Sequence, residues 1–268
     1  MNNEQVLKKY KIYDEVGDDI GYVSLLQYMG SDLTVVNAAR ASYDKYKDGD
    51  LDEKDQKLMS YLIDNKHTST LEHNVMTFVF KVPLYVSKQH MRHRTWSFNE
   101  ISRRYTEENI EFYIPKKWRT QAKTNKQSSI DVGDFNPIVN ETHGSHNVYQ
   151  TTATEAMKQL AIQSERTYEM LLDSGVCREQ ARGALLNCLY TTYWGTIDLN
   201  NFFKFLDLRS ASNSQWEIRV IADALNEIAS DLFPLAMDKY NEQRKLKEEF
   251  NTEFQQWKKN KKSQDDNS

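Results

Sequence analysis

The chain has 268 residues, of which 39% are hydrophobic and 28% are charged. This composition is typical of a water-soluble protein with room for one large domain or two small ones. A net charge of −4 gives no overall attraction to nucleic acid or to an anionic membrane, and no apolar run is long enough to span a bilayer. Two cysteines are too few for a disulfide framework, and the first ten residues lack the apolar core of a signal peptide, so we expect a cytoplasmic protein.

The first half of the chain alternates strand and helix patterns. The turn at Gly30, Ser31 and Asp32 is predicted to cap the first helix. Pro83 suits the start of the third helix, because its missing N–H needs no partner in a first turn. The predicted elements are a strand at 22–29, a helix through residue 40, a helix at 52–65, a buried strand at 75–82, a helix from 83 and a short strand at 111–115.

The second half of the chain begins with residues 116–147, which are polar and show no periodicity, so we predict a surface insertion. Further on, the pattern predicts a long helix from 153 that ends at Gly175, a helix near 178, a strand at 189–197, an apolar helix at 216–232, a charged helix after 234 and a solvated tail at 258–268. The chain is therefore predicted to have one α/β domain at 1–235, with a charged C-terminal helix and tail at 236–268. Aromatic residues of that last helix could pack on the body or on another subunit, and the sequence leaves both open.

The most informative stretch is the basic segment, residues 89–105, which carries four arginines and one acid, Glu100. Planar guanidinium groups match phosphate oxygens in pairs, so arginines with few neighbouring acids indicate bound anions. Two alternatives stay open at this point. Charge clusters are commonly solvated surface, and arginines interleaved with aromatic residues also suit nucleic-acid binding, although the acidic overall balance counts against the latter.

Several positions of the basic segment are candidates for direct contact with a ligand. On the predicted third helix, Gln89, Arg92 and His93 share one face. Glu100 could orient the arginines, or accept a hydrogen bond from a ribose hydroxyl or a base N–H. Ser102 could donate to a phosphate or lie beside a reacting base.

A family resemblance rests on motifs within this segment and around it. Arg92-His93-Arg94, followed after seven residues by Ser102, resembles the signature of flavin-dependent thymidylate synthases. Five further segments also resemble that family and occur in the family's order, at 39–43, 67–73, 111–115, 205–209 and 215–218. The matches run from about residue 23 to 233 and leave out the insertion and the tail.

The resemblance implies an α/β (α+β) fold with a central, mostly antiparallel sheet flanked by helices, and a peripheral C-terminal helix. It implies reductive methylation of dUMP to dTMP, with 5,10-methylenetetrahydrofolate as carbon donor and FAD reduced by NADPH as hydride source. It further implies a homotetramer whose sites lie at subunit interfaces. The expected partners are these small molecules, with neither nucleic acid nor membrane among them.

The resemblance also implies roles for individual residues. Arg209 matches an arginine that activates the uracil, because a cation beside a ring carbonyl stabilises the negative charge that makes C5 nucleophilic. We favour substrate binding over nucleophilic attack for Ser102, since no base is evident near it in sequence. The residues expected to contact dUMP are Gln89, His90, Met91, Arg92, Glu100, Ile101, Ser102, Arg103, Arg104, Arg182 and Arg209. The residues expected to contact FAD are Ser69, Arg92, His93, Arg94, Glu100, Asp198, Asn200 and Lys204.

The chain departs from the family pattern at positions that bear on flavin contacts. Asp198 and Asn200 stand where the family often has asparagine and arginine, Lys204 where it has asparagine or histidine, and Asn213 where histidine is common. Our hypothesis is that FAD still binds, through a rearranged set of contacts. The alternatives are an enzyme of the same fold that forms 5-hydroxymethyl-dUMP, and a non-catalytic relative that binds nucleotides or RNA.

Other patterns have structural interpretations. Residues 69–72 fit a capping box at a helix start. Cys177 and Cys188 lie outside the site motifs and are interpreted as buried thiols. His143 and His146 have a spacing that metal ligands can use, but they lack partner ligands, so no metal is predicted.

Overall fold

The computed structural model of the chain describes residues 9–13, 19–123, 125, 128–143 and 147–265. The chain divides into two compact units, each assembled from separate stretches. Unit 1 takes residues 1–28, 76–197 and 208–225, and unit 2 takes residues 29–75, 198–207 and 226–268. None of the described helices combines the length and the apolar character needed to cross a bilayer.

The described residues form nine strands and eight α-helices, together with short 3-10 turns. The strands are β1 (Lys9–Lys11), β2 (Tyr22–Met29), β3 (Val75–Pro83), β4 (Ser97–Glu100), β5 (Arg119–Gln121), β6 (Ser129–Asp131), β7 (Ile138–His143), β8 (Asn147–Thr152) and β9 (Tyr190–Asp198). The helices are α1 (Asp32–Arg40), α2 (Glu53–Asp64), α3 (Leu84–His90), α4 (Ala153–Asp173), α5 (Arg178–Ala181), α6 (Leu199–Arg209), α7 (Trp216–Leu232) and α8 (Pro234–Asp265).

Unit 1 is built on a five-stranded sheet in the order β1-β2-β3-β9-β4. Strand β1 pairs with β2, and β4 with β9, in antiparallel register. Aromatic side chains of β3 and β9, including Phe80 and Tyr193, stack in the buried core at a ring distance of 4.9 Å. The predicted α/β class with an antiparallel sheet is confirmed, whereas β1 and β4 were not predicted from the sequence.

Unit 2 is mainly helical and shows how local capping fixes its elements. The side chain of Ser31 accepts from the backbone N–H of Thr34 and caps α1, as the turn residues predicted. Asp32 reaches a second helix start, because its carboxylate accepts from the N–H groups of Leu235 and Ala236 at 2.8 and 3.0 Å. A carboxylate there is stabilised by the partial positive charge of the α8 N-terminus. The two hydrogen bonds of Asp32 therefore join α1 to the start of α8.

Three predicted elements differ from the structure. The stretch 111–115 forms only an isolated bridge between Phe112 and Leu189, because Pro115 cannot continue a hydrogen-bonded ladder. The insertion contains two antiparallel hairpins, β5–β6 and β7–β8, whose polar strands carry no apolar alternation to reveal them. Helix α8 continues to Asp265 and includes most of the stretch that was interpreted as a tail. The domain boundary at residue 235 stays a prediction.

Candidate functional site

The first cavity of unit 1 lies where β4 ends and the basic segment turns away from the sheet. Its volume is about 290 Å³, close to the lower end of small-molecule sites at roughly 300–1,000 Å³. The polar residues that line it include four of the expected nucleotide contacts, Glu100, Ser102, Arg103 and Arg182, and Ile101 lines it as well. Its remaining lining residues are Leu84, Leu185, Leu189, Tyr190 and Thr191. Segments that are distant in sequence thus line one cavity.

The carboxylate of Glu100, the last residue of β4, lies within hydrogen-bonding distance of two side-chain hydroxyl groups. Thr191 donates to its Oε1 at 2.7 Å, and the Ser87 hydroxyl, which donates to the Leu84 carbonyl at 3.1 Å, lies 3.4 Å from the same oxygen. Among the described residues no hydrogen bond is made to the other carboxylate oxygen, which leaves it to accept from a ligand. Neither residue was expected from the sequence, because Thr191 reaches Glu100 through the pairing of β4 with β9 and Ser87 lies on α3.

The guanidinium groups of the two arginines that line this cavity donate to backbone carbonyl oxygens. Arg103 donates to the carbonyls of Glu108 and Asn109, and burial lowers its pKa from the ordinary value. Arg182 donates from Nε to the carbonyl of Glu179 at 3.3 Å. Each guanidinium carries five N–H donors, so both keep donors for a phosphate. Arg104 points elsewhere and pairs with the Glu179 carboxylate at 3.6 Å.

Ser102 does not have the surroundings of a nucleophile. Its Oγ accepts from the backbone N–H of Arg104 at 3.3 Å, which fixes the turn after β4. Within the described residues it makes no hydrogen bond to a carboxylate or an imidazole that could remove its proton. An unactivated serine hydroxyl is a weak nucleophile, and this geometry favours substrate binding.

A second cavity of unit 1 lies over the turn that follows α3. It has a volume of about 400 Å³ and is lined by Met91, Arg92 and Arg94. In the described part of the chain, neither guanidinium forms an ion pair or a side-chain hydrogen bond. Nearby in sequence, the buried Oε1 atom of Gln89 has no hydrogen-bond partner within the described residues. These guanidinium groups could bind a ligand's phosphates, and the buried acceptor could receive a hydrogen bond from its N–H groups. A flavin dinucleotide carries both kinds of group.

The helix that carries this turn is shorter than predicted. Because α3 ends at His90, Arg92 and His93 lie in the following turn and do not share a helix face with Gln89. The His90 side chain is fully buried, and its Nδ1 is 2.8 Å from the Tyr193 hydroxyl. Any contact between His90 and a nucleotide must therefore come from its backbone.

Arg209, the expected uracil-activating residue, contacts the turn through His93. Its Nε donates to His93 Nε2 at 2.8 Å, and its Nη2 donates to the backbone carbonyl of Gln89 at 3.5 Å. His93 Nε2 must be unprotonated to accept this bond, so the ring carries its proton on Nδ1. Burial and then the charge of Arg209 lower the pKa of His93 to about 4. Burial also lowers the pKa of Arg209.

This pairing predicts a pH dependence of stability that is specific to His93. An unfolded histidine titrates near pH 6.5, whereas folded His93 titrates at about 4, so folding favours the neutral ring. The stabilisation is present above pH 6.5 and is lost as the pH falls from about 6.5 through 4. In His93→Gln, we expect a flatter dependence of unfolding free energy on pH across this window, measured in urea. His90, whose pKa is also lowered, is unchanged in both proteins and serves as the internal reference. Identical slopes for the two proteins would contradict this assignment.

The remaining residues expected to contact flavin belong to unit 2. Asn200 is 5% exposed, and its side-chain amide donates to Glu72 at 2.8 Å. Asp198 caps α6 by accepting from the backbone and side-chain nitrogens of Asn201, and Lys204 donates to the Asn201 side chain at 3.1 Å. Two of the departures from the family pattern, Asp198 and Lys204, are therefore linked through Asn201 at the start of α6, whereas Asn200 bonds to Glu72.

The remaining interpretations made from the sequence concern a capping box, the two cysteines and a histidine pair. Ser69 is exposed in a 3-10 turn without a side-chain cap, so the capping-box interpretation of residues 69–72 is wrong. Cys188 is buried as predicted, but Cys177 is exposed at the start of α5. The described residues contain no group of three or more histidine, cysteine or acidic side chains that could hold a metal. His146 and the side chain of His143 lie outside the described residues.

The chain is similar to known proteins over most of its length. Residues 24–235 match the family model of the thymidylate synthase complementing protein. A flavin-dependent thymidylate synthase of Thermus thermophilus is 39% identical over 84% of this chain and 77% of its own length. One from Thermosipho africanus is 35% identical over 87% of this chain and 93% of its own length. A crystal structure of the UMP/dUMP methylase PolB from Streptomyces cacaoi, bound with 5-Br dUMP, has 30% identity and a TM-score of 0.66, with 82% of this chain and 94% of PolB covered.

Proposed function

The chain belongs to the thymidylate synthase complementing protein family and is similar to flavin-dependent thymidylate synthases, and we propose that it methylates dUMP to dTMP with the residues described above. The carbon donor is 5,10-methylenetetrahydrofolate, and NADPH supplies the reducing equivalents through FAD. The cavity that combines Glu100, Ser102, Arg103 and Arg182 carries the proposal, because it offers cationic donors, a hydroxyl and a carboxylate to one nucleotide.

The nucleotide is assigned to the first cavity. The guanidinium groups of Arg103 and Arg182 bind the phosphate, and Glu100 accepts from a sugar hydroxyl or a base N–H. Arg209, held by His93, then supplies a cation beside a uracil carbonyl and stabilises negative charge on the ring. Half-buried donors of this kind need no reorganisation when that charge develops.

FAD is assigned to the turn after α3, where Arg92 and Arg94 have no partners within the described residues. When bound, reduced FAD supplies the hydride that completes the methyl group. Ser69, Asp198, Asn200 and Lys204, which belong to unit 2, are the other proposed flavin contacts. A homotetramer with sites at subunit interfaces and a cytoplasmic location are part of the same proposal.

The function is tested by following one anaerobic turnover. NADPH should bleach the flavin absorbance of the FAD-loaded protein, and dUMP with methylenetetrahydrofolate should restore it while dTMP forms. Mass spectrometry of the nucleotide separates a methyl product from a hydroxymethyl product, and parallel reactions with UMP test the sugar preference. A colourless protein that does not bind FAD and binds RNA with a steep salt dependence would support the non-catalytic alternative instead.

A further inference from the structure

The far half of α8 is largely exposed among the described residues, where its Lys247 forms an ion pair with Asp207 of α6 at 3.3 Å. From Lys245 onward, every described side chain is exposed. Single helices of fewer than about 12–15 residues are marginal in water, and longer ones still depend mainly on burying an apolar face. This half of α8 therefore needs a surface against which to pack. It also lies beyond residue 235, where the match to the family model ends.

An apolar stripe runs along this half of α8. It consists of Leu246, Phe250, Phe254 and Trp257, which fall within an arc of about 80° at 3.6 residues per turn. Their exposures are 60%, 65%, 39% and 55%, and the three aromatic rings stack in sequence at 6.1 and 5.8 Å. A contiguous exposed stripe of this kind marks an interaction surface.

The two edges of the stripe carry opposite charges. Glu249 and Glu253 lie along one edge, Lys247 and Lys258 lie along the other, and Lys261 lies on the stripe itself beyond Trp257. The Nζ atoms of Lys258 and Lys261 are 4.5 Å from the Phe254 ring centre and 5.3 Å from that of Trp257, so these two lysines shield part of the stripe. An acidic edge and a basic edge on one helix make its surface self-complementary.

We propose that the stripe of α8 pairs with the same stripe of a second copy of this chain, with the two helices parallel. In a parallel pair related by a two-fold axis along the helices, the acidic edge of each helix faces the basic edge of the other. In an antiparallel pair, by contrast, each edge meets its own counterpart, which places like charges together. Charge complementarity therefore selects a second copy as the occupant and the parallel arrangement.

A cysteine at position 246 tests the pairing in the full-length protein. In a parallel pair, each residue of the stripe faces its own counterpart, so Leu246→Cys should form a disulfide with itself under mild oxidation. The background substitution Cys177→Ser removes the exposed native thiol, and Cys188 is buried. Thr252→Cys, on the opposite side of the helix, is the matched control. We expect nearly complete cross-linking at 246 and at least tenfold less at 252, on non-reducing gels.

Charge reversal gives an independent readout. Glu249→Lys/Glu253→Lys makes both edges basic, and Lys247→Glu/Lys258→Glu makes both edges acidic, so each variant alone should lose most of the cross-link at 246. When the two variants are co-expressed with tags of different mass, the mixed dimer should return as the main cross-linked species. The proposal would be overturned by equal cross-linking at 246 and 252, or by charge reversal without effect. It would also be overturned if nuclease treatment removed the cross-link, since nucleic acid would then hold the two copies together.

Discussion

Replacing Arg209 with alanine is expected to lower kcat by about 10²–10³-fold, the loss seen when one preorganised donor is removed from a site of developing charge. The dUMP phosphate is assigned to Arg103 and Arg182, so the affinity for dUMP should fall much less. An interaction made only in the transition state lowers kcat and kcat/KM equally. Steady-state kinetics and equilibrium dUMP binding, measured on the same preparation, separate the two effects.

Lysine should not rescue this position. Arg209 donates from Nε to His93 and carries other N–H groups on the same rigid plane, so one side chain can hold the imidazole and also reach a ligand. A lysine has a single ammonium group and cannot occupy both places. Arg166→Ala, at an exposed position of α4, is the matched control and should keep normal kinetics. Near-normal turnover of Arg209→Ala would contradict the assignment of the uracil-activating residue.

Local patterns were sufficient to predict most helices and central strands. The caps at Ser31 and the glycine stop at Gly175 act within a few residues, so the bounds of α1 and α4 follow from adjacent sequence. Elements defined by pairing were harder to predict. Strand β4 is four residues long inside the basic segment, and its strand conformation depends on β9, about 90 residues later.

The site shows the same division between local and long-range information. The arginine-rich motif identified the basic segment, and the resemblance added Arg182 and Arg209 to it. The contact between Arg209 and His93 joins residues 116 positions apart, and Thr191 reaches Glu100 across 91. No periodicity encodes such contacts, because they depend on how strands pair and where helices end. For the same reason, the motifs do not show that unit 1 distributes the arginines over two cavities.

The ion pair between Arg119 and Glu217 predicts the largest effect on stability. Arg119 lies on β5 of the insertion, and its guanidinium bonds to the carboxylate of Glu217 in the first turn of α7. The same guanidinium lies 5.3 Å from the centre of the Trp216 ring. The Glu217 side chain is 5% exposed, so removing its partner leaves a buried charge. Arg119→Ala should therefore lower the free energy of unfolding by roughly 3–5 kcal/mol, measured by urea denaturation.

A double-mutant cycle distinguishes this cost from lost packing. Replacing both members with methionine, as Arg119→Met/Glu217→Met, removes the buried charge together with its partner and keeps most of the volume. Such replacements are commonly neutral or stabilising, so the double variant should be more stable than Arg119→Met alone. Glu217→Met alone should cost less than Arg119→Met, because the Arg119 side chain is 19% exposed and can regain water. Additive losses would instead mean that the two side chains act independently and that the insertion hairpin is not fastened to α7 through this pair.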